Sequence, residues 1–504
     1  MIWKSLNAII VAILIRIFIA TYPYFDESNK SSFEFFDANK QWMKITTSKN
    51  ISINEWYSKF QLPQNSKENI VKYCPPLKAY FSWINGKMAQ NINPKIFEGK
   101  RNSNVKIFMR WTILIADFVF YFPTFALAVE EELNDQKKVI QWLSMCIQPV
   151  FLLIEHAHFK DDSVSLSLSL LSFIMLMENH HKLSSFIFAL ALGFDSRIWV
   201  FALPYFSIVI GNAFFVKTTN LNQKGKEIAK KEAIKYVFFV ISIFILTLII
   251  LWIPFIRSFK DFLQIILNLF SFQKEPQVCI KGTPNLWFIL NDHFKSSLIP
   301  LKKISFAITL LITIPINYNV IKKPSRRSFI LSLFNTSFAF FLFAFPNHCQ
   351  IDIVIPLLIS TFLIQDQAIG FFMFWFIIVS AYSIFPLVLI ENLVIPYYFS
   401  LIVFALLSAK IVVFNFHFPL SKFLFASSIL FLFFNQVIYF LVFSHQLKTF
   451  LISLIQFVSF IHFVLFWIFF VFHQFKKEDF WFLMIKREEK NGKEKKDLIK
   501  KKND

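Results

Sequence analysis

The run AIGFFMFWFIIVSAYSIFPLVLI, residues 368–390, contains no charged side chain and exceeds the roughly 20 apolar residues that a helix needs to cross a bilayer. Similar runs recur from the first residues to about Phe472. They are continuous and not alternating, so they favour helices over the strands of a barrel. We predict about fourteen spans, near residues 6–22, 107–129, 139–155, 163–177, 183–195, 199–215, 235–256, 302–319, 328–346, 351–365, 368–390, 393–415, 422–444 and 449–473.

The composition excludes a water-soluble protein. Of 504 residues 56% are hydrophobic and 17% charged, and the mean hydropathy is +0.54. The net charge of +20 lies mostly in short loops and the tail, where it indicates orientation and not a nucleic-acid partner. We therefore predict an all-α polytopic membrane protein over residues 1–474, with a long loop at 23–106 and a basic tail at 475–504.

Loop charge predicts the orientation. If the first helix is an anchor with a cytosolic N-terminus, the basic segments at 217–235, 322–327 and 476–502 all fall in the cytosol, as does the C-terminus. The long loop then lies on the other side with its two glycosylation sequons, at Asn29 and Asn50. The terminal Lys501-Lys502-Asn503-Asp504 resembles a dilysine retrieval signal for the endoplasmic reticulum, or is simply the end of a lysine-rich tail.

Polar side chains at membrane depth gather on the non-cytosolic side, in the segments 155–162, 195–197 and 347–350. Such groups are costly in lipid and usually functional, so we predict a lumenal site. His156 and His158 do not share a helix face, and no third ligand has metal spacing, so no metal is expected. Asp195 and Arg197 are either a pair at a helix break or substrate contacts, and His348 is either a helix-end residue or a ligand.

The remaining patterns are negative or local. With eight glycines the chain has no GxGxxG or Walker pattern, so we expect no nucleotide donor and no cofactor. A disulfide between Cys74 and Cys279 is possible on the predicted topology. Residues 51–94 have amphipathic spacing with Trp56 and Trp83, which indicates helices on the lumenal membrane surface that cover a lipid-borne substrate.

Several motifs occur in a characteristic order along most of the chain: QWMKIT at 41–46, EWY at 55–57, PPLKAYFSW at 75–83, INP at 92–94, RWTILIAD at 110–117, HAHF at 156–159 with SVSL at 163–166, PNLW at 284–287, and FLF at 341–343 before His348. Together they resemble the dolichyl-phosphate-glucose-dependent α-1,3-glucosyltransferases of asparagine-linked glycosylation. The order of these motifs along the chain is more specific for the family than any one motif alone.

The resemblance implies a GT-C fold in the endoplasmic reticulum membrane, with the site on the lumenal face. It implies dolichyl-phosphate-glucose as donor and the mannose-rich dolichyl-diphosphate oligosaccharide as acceptor. A carboxylate takes the proton of the acceptor 3-hydroxyl, and a single displacement inverts the β linkage to α. Expected substrate contacts on matching or altered motif positions are His156, His158, Asp161, Asp162, Arg197 and His348.

Some positions depart from the family pattern. The family's Gly-Asp-Tyr/Phe-Glu is Glu34-Phe35-Phe36-Asp37, which puts Phe35 at the expected catalytic Asp. The Gln-Tyr-Asn after the His-Phe motif is Lys160-Asp161-Asp162, and the later His-Glu-Lys is His348-Cys349-Gln350.

Either Asp37 or Glu34 acts as the base, or the chain is an inactive relative with a binding or regulatory role; a transporter is a third possibility. On an extended loop Asp37 faces the same side as residue 35 and Glu34 faces away, which favours Asp37. The loop motifs leave first- and second-glucose specificity open, with a slight preference for the first.

Overall fold

The computed structural model describes residues 2–22, 33–59, 74–97, 103–129, 135–214, 223–256, 283–290, 298–345, 352–364, 366, 368–390, 392–412 and 419–476. Every regular element within these ranges is helical. The α-helices there are α1 Ile2–Thr21, α2 Phe33–Thr47, α3 Trp56–Lys59, α4 Pro76–Ile92, α5 Ser103–Ala116, α6 Phe122–Ala128, α7 Asp135–Cys146, α8 Pro149–His158, α9 Asp162–Met177, α10 His181–Phe194, α11 Ala202–Phe214, α12 Gln223–Trp252, α13 Leu286–Leu290, α14 Leu298–Lys322, α15 Arg326–Phe343, α16 Val354–Leu363, α17 Gly370–Ser383, α18 Phe385–Ile390, α19 Val394–Ser408, α20 Pro419–Leu441 and α21 His445–Phe475.

A helix lies at each predicted span, so the all-α polytopic class is confirmed. The number of full spans is smaller than predicted. Within the described residues seven stretches are long and apolar enough to cross a membrane, or eight if α7 and α8, bent by 45°, form one broken span. Five more apolar helices have only 10–17 residues. An apolar run measured on the sequence includes turn residues at its ends, which explains the difference.

The centre of the bundle is α15, which is buried along almost its whole length. A helix that is buried on all sides, here with its polar side chains included, must be surrounded by other helices. Phe334 and Phe338 pack edge-on against the ring of Phe376, with centroids 5.3 Å and 4.9 Å apart, and Phe463 packs against Phe338 at 5.6 Å. Aromatic side chains thus supply much of the contact area between α15, α17 and α21.

The loop predicted at 23–106 carries α2, α3 and α4. Helices α3 and α4 agree with those expected over residues 51–94, whereas α2 was not predicted. The helices α2 and α4 approach closely at Gly86, where an added Cβ would lie 2.6 Å from Thr47 Cγ2 and 2.9 Å from the carbonyl oxygen of Met43. Glycine is required at this contact because no side chain fits between the two backbones. On its other side α4 exposes Trp83, Ile84 and Met88.

The local structure around Asp37 differs from the extended loop assumed above. Residues 33–47 form α2, so residues two apart point to nearly opposite sides and residues three apart share a face. The argument that favoured Asp37 over Glu34 is therefore wrong. The physical reason is tertiary: α2 buries Phe36, Trp42 and Met43 against its neighbours, and that burial stabilises a helix.

Candidate active site

Charged side chains converge where several helices end on one side of the bundle. This ionic cluster comprises Lys78 in α4, Lys160 and Asp161 between α8 and α9, Asp162 at the start of α9, Asp195 and Arg197 between α10 and α11, and Asp352 before α16. The side chains of Lys78 and Asp352 are 25% and 23% exposed, and those of Asp161 and Asp162 are 9% and 7% exposed. The cluster therefore opens to the outside at one edge and closes towards the bundle.

Arg197 is the centre of the cluster. Its Nη2 and Nε donate to Asp195 Oδ2, at 2.7 Å and 3.0 Å, and its Nη2 also lies 2.7 Å from Asp162 Oδ2 in an ion pair. Asp195 also caps the turn that follows α10, accepting from the main-chain N–H of Arg197 at 2.9 Å. Burial by itself raises the pKa of Asp195, but the Arg197 guanidinium outweighs it, so that pKa lies below its ordinary value. The planar guanidinium joins the ends of α9 and α10.

Two lysines add positive charge on the side of α4 and α8. The Nζ of Lys78 donates to Asp161 Oδ1, and the Nζ of Lys160 lies 3.5 Å from Asp162 Oδ2. Burial lowers the pKa of Lys160 to about 8, with Arg197 acting in the same direction and Asp162 against it. For Lys78 burial acts downward too, but Asp161 and Asp162 outweigh it and raise the pKa. The two amines differ in how firmly they hold a proton.

Deeper in the bundle a buried triad joins three helices. Arg16 of α1 donates through Nε to Asp117 Oδ2 at 2.6 Å, and His156 of α8 places Nε2 3.0 Å from the same oxygen and donates to it. All three side chains are at most 1% exposed. Asp117 opens a π-helical segment, Asp117–Tyr121, between α5 and α6. Such bulges are frequent at functional sites and here turn the carboxylate inward.

The start of α2 lies against the end of α8. Phe159, which ends α8 with a left-handed φ of 56°, accepts a hydrogen bond from Asn39 Nδ2 at 2.9 Å on its carbonyl oxygen. Its ring packs edge-on against Phe36, with centroids 5.3 Å apart. A left-handed phenylalanine is strained and persists only when its surroundings hold it. The helix turn that carries position 35 is thereby fixed beside the ionic cluster.

The predicted site residues are distributed as follows. Asp161, Asp162 and Arg197 come together in the ionic cluster, and His156 lies in the buried triad. Asp37 lies half-buried in α2, and Glu34 lies in the first turn of α2. The side chains of Glu34 and His158, and the whole of His348, lie outside the described residues, as do Cys279 and Asn29. Cys74 is buried and forms no disulfide with another described cysteine.

Sequence reasoning did not assign Arg16, Lys78 or Asp352 to the site. Arg16 carries a usable signal, because a lone cation inside an apolar helix is expensive and requires a partner. Lys78 and Asp352 lie near the starts of α4 and α16, and no sequence pattern connects them with the other charged residues of the cluster. Only the convergence of α4, α8, α9 and α16 shows their role.

The arrangement suits a charged, lipid-linked substrate. Three cations, Lys78, Lys160 and Arg197, lie in the cluster with carboxylates between them, and such groups can orient a phosphate and the hydroxyls of a sugar. The partly exposed edge gives access, while the buried triad supports the inner side. Among the described residues no three metal-ligating side chains converge.

Together the fold and the site define a multispanning helical membrane protein with an ionic cluster built from helix ends. Residues 12–472 match the model of the ALG6, ALG8 glycosyltransferase family. The chain therefore belongs to this family, and the resemblance inferred from the motifs is confirmed.

Relatives in several kingdoms share most of the chain. It is 30% identical to a probable dolichyl pyrophosphate Man9GlcNAc2 alpha-1,3-glucosyltransferase of Dictyostelium discoideum, over 79% of this chain and 76% of the relative. It is 28% identical to the chicken (Gallus gallus) enzyme, over 78% and 76%. For the probable enzyme of Arabidopsis thaliana the identity is 29%, over 77% and 71%.

Proposed function

We propose that this chain transfers glucose from dolichyl-phosphate-glucose to the Man9GlcNAc2 oligosaccharide of a dolichyl diphosphate, forming an α-1,3 linkage. The observation that carries the proposal is the family match over residues 12–472, together with relatives named for this acceptor and linkage. These names favour addition of the first glucose. They also favour an enzyme over a regulatory relative or a transporter.

The chemistry of the ionic cluster supports the proposed donor. Lys78, Lys160 and Arg197 supply positive charge that can hold a lipid phosphate, the leaving group of the reaction. The proton of the acceptor 3-hydroxyl passes to a carboxylate while the oxygen attacks the anomeric carbon. The bond from that carbon to the phosphate oxygen breaks, and its electron pair leaves with dolichyl phosphate. Attack opposite the leaving group inverts β to α.

The proposed orientation places the ionic cluster in the lumen of the endoplasmic reticulum and the C-terminus in the cytosol. The contacts at the two ends of α9 support this orientation. Asp162 begins the helix in the ionic cluster, whereas at the other end Arg326 donates to the carbonyl oxygen of Met177 at 3.1 Å and lies 3.7 Å from Glu178. With 16 residues α9 separates the two by about 24 Å. The basic turn at 322–327 thus lies opposite the cluster, as positive-inside counting requires.

The proposal is tested with purified protein in detergent, synthetic dolichyl-phosphate-glucose and lipid-linked Man9GlcNAc2. We expect one added hexose, resistant to β-glucosidase and released by α-glucosidase. A family member of known activity is purified and assayed in parallel. If that enzyme adds glucose while this chain folds and binds donor but adds none, the chain is the inactive relative that Phe35 suggests.

A further inference from the structure

The position expected to carry the catalytic Asp is Phe35, so a different carboxylate must accept the proton if the chain is active. Its helix turn is fixed against Phe159 by Asn39 and Phe36. Besides Asp37, whose charge interacts with Lys40 one turn further along α2, and Glu34, whose side chain lies outside the described residues, the nearest carboxylates in the fold are those around the end of α8. This inference rests on the proposed function, because it names the base of that reaction.

Most of these carboxylates are already bound to cations. Asp161 accepts from Lys78, Asp195 accepts from Arg197, and Asp162 contacts Arg197 and Lys160. Asp117 accepts from Arg16 and His156. A carboxylate held by a guanidinium is a poor proton acceptor, because the cation stabilises its ionised form.

Glu155 differs from all of them. Its side chain is fully buried, and neither Oε1 nor Oε2 has a hydrogen-bond partner among the described residues. An unpaired carboxylate in a protein interior is expensive, and a retained one indicates a group that its surroundings leave open for a ligand or a reaction. It lies directly before His156 of the buried triad and one helical turn before Lys160 of the ionic cluster.

The backbone places Glu155 one helical turn from the junction with α2. Its carbonyl oxygen accepts the main-chain N–H of Phe159 and, at 3.1 Å, that of Lys160, which closes α8 at this point. The side chain thus belongs to the last turn of α8, and Lys160, Asp161 and Asp162 of the ionic cluster follow the end of this helix. We infer that Glu155 is the general base, which takes the proton of the acceptor hydroxyl in place of the missing carboxylate at position 35.

In this step the acceptor O–H bond breaks and the proton goes to a Glu155 oxygen. The new bond joins the acceptor oxygen to the anomeric carbon, and dolichyl phosphate leaves with the electrons of the broken bond. The proton then passes to water or to the departing phosphate, which restores the carboxylate. Besides donor and acceptor, the step as written requires no further co-reactant.

The test measures glucose transfer by purified wild type and three variants. Glu155→Gln keeps the shape and removes the proton acceptor, so we expect kcat to fall about 100-fold or more, since general-base catalysis contributes that much, with the KM for acceptor little changed. Glu232→Gln, on the exposed surface of α12, is the matched control and keeps wild-type kcat. Phe35→Asp added to Glu155→Gln restores kcat, which a purely structural role of Glu155 would not allow.

The outcomes separate the two proposals. If wild type adds no glucose, the proposed function fails and the inference fails with it. If wild type is active and Glu155→Gln turns over at the same rate, only the inference is overturned. If Glu155→Gln does not fold, the decision falls to Glu155→Asp, which keeps the carboxylate: a folded, slower enzyme with an unchanged pH profile overturns the inference, and a displaced rising limb supports it.

Discussion

The side-chain amide of Asn39 donates a hydrogen bond of 2.9 Å to the carbonyl oxygen of Phe159, joining α2 to the end of α8. The two residues are 120 positions apart in sequence. This contact ties the first loop, which carries the altered catalytic motif, to the helix that carries Glu155 and His156. The geometry of the site therefore depends on the contact between α2 and the end of α8.

Weakening the hydrogen bond between Asn39 and Phe159 is expected to reduce activity more than stability. Asn39→Asp replaces the donor by an acceptor that faces the carbonyl of Phe159, and a net hydrogen bond contributes only about 1 kcal/mol to folding. We expect a several-fold lower kcat with a small change in melting temperature. Asn39→Gln, which keeps the amide, is the control. Equal loss of activity in both variants would show that the hydrogen bond is not the cause.

The buried pair of Arg16 and Asp117 is expected to dominate the stability of the bundle's inner side. Removing one partner leaves an uncompensated charge, which costs about 3–5 kcal/mol in protein interiors. Arg16→Met and Asp117→Leu should each lower the thermal midpoint in detergent markedly. The double variant should recover part of the loss. A double variant that melts at the sum of the two single losses would contradict coupling between these residues.

Lys160 gives a pH dependence with a defined sign. Its pKa of about 8 in the folded state lies below the ordinary lysine value of 10.5. Between these values the unfolded chain binds the proton and the folded protein does not, so this residue destabilises the fold fully below pH 8 and the penalty disappears towards pH 10.5. Lys160→Met should therefore melt higher than wild type at pH 7, with a difference that shrinks at pH 10. Melting curves that differ equally at both pH values would contradict the lowered pKa.

Arg197 should not tolerate replacement by lysine. The planar guanidinium donates to Asp195 through both Nε and Nη2 while it forms an ion pair with Asp162, which an ammonium cannot reproduce. We expect Arg197→Lys to raise the KM for dolichyl-phosphate-glucose and lower kcat at least tenfold. Arg326→Lys is the matched control, because Arg326 begins α15 and contacts α9 at the end away from the cluster, and it should leave both constants near those of wild type. Comparable losses in the two variants would argue for a general packing effect.

The orientation can be read from Asn50, which is exposed in the turn after α2 and begins the sequon Asn50-Ile51-Ser52. If α2 to α4 lie in the lumen, this side chain can receive a glycan. Expression in a eukaryotic host should give a band that shifts on endoglycosidase treatment and is altered in Asn50→Gln. Cytosolic protease access to a tag inserted at this turn would contradict the orientation.

The helices were predictable from the sequence because continuous apolar runs such as 368–390 allow no other structure in lipid. The family could be inferred because many motifs keep their order, although each is short. Asp161, Asp162 and Arg197 could be predicted as site residues because charged side chains beside apolar runs are costly. Apolar runs, short motifs and charged residues beside apolar runs are local features, so they can be read from a single sequence.

What the sequence could not give depends on contacts between distant segments. The helical state of residues 33–47 follows from burial against α4 and α8, not from local propensity, so the faces of Glu34 and Asp37 were assigned wrongly. The partnership of Arg16 with Asp117, 101 positions apart, and the unpaired state of Glu155 likewise require knowledge of which helices meet.

The most direct test of the account is the glucose count on lipid-linked oligosaccharides in cells that lack their own enzyme for the first glucose, measured by mass spectrometry with and without this chain. Glucosyl transfer predicts that the wild-type chain converts Man9GlcNAc2 to glucosylated species. Expression at the correct membrane with the oligosaccharide left entirely at Man9GlcNAc2 would contradict it.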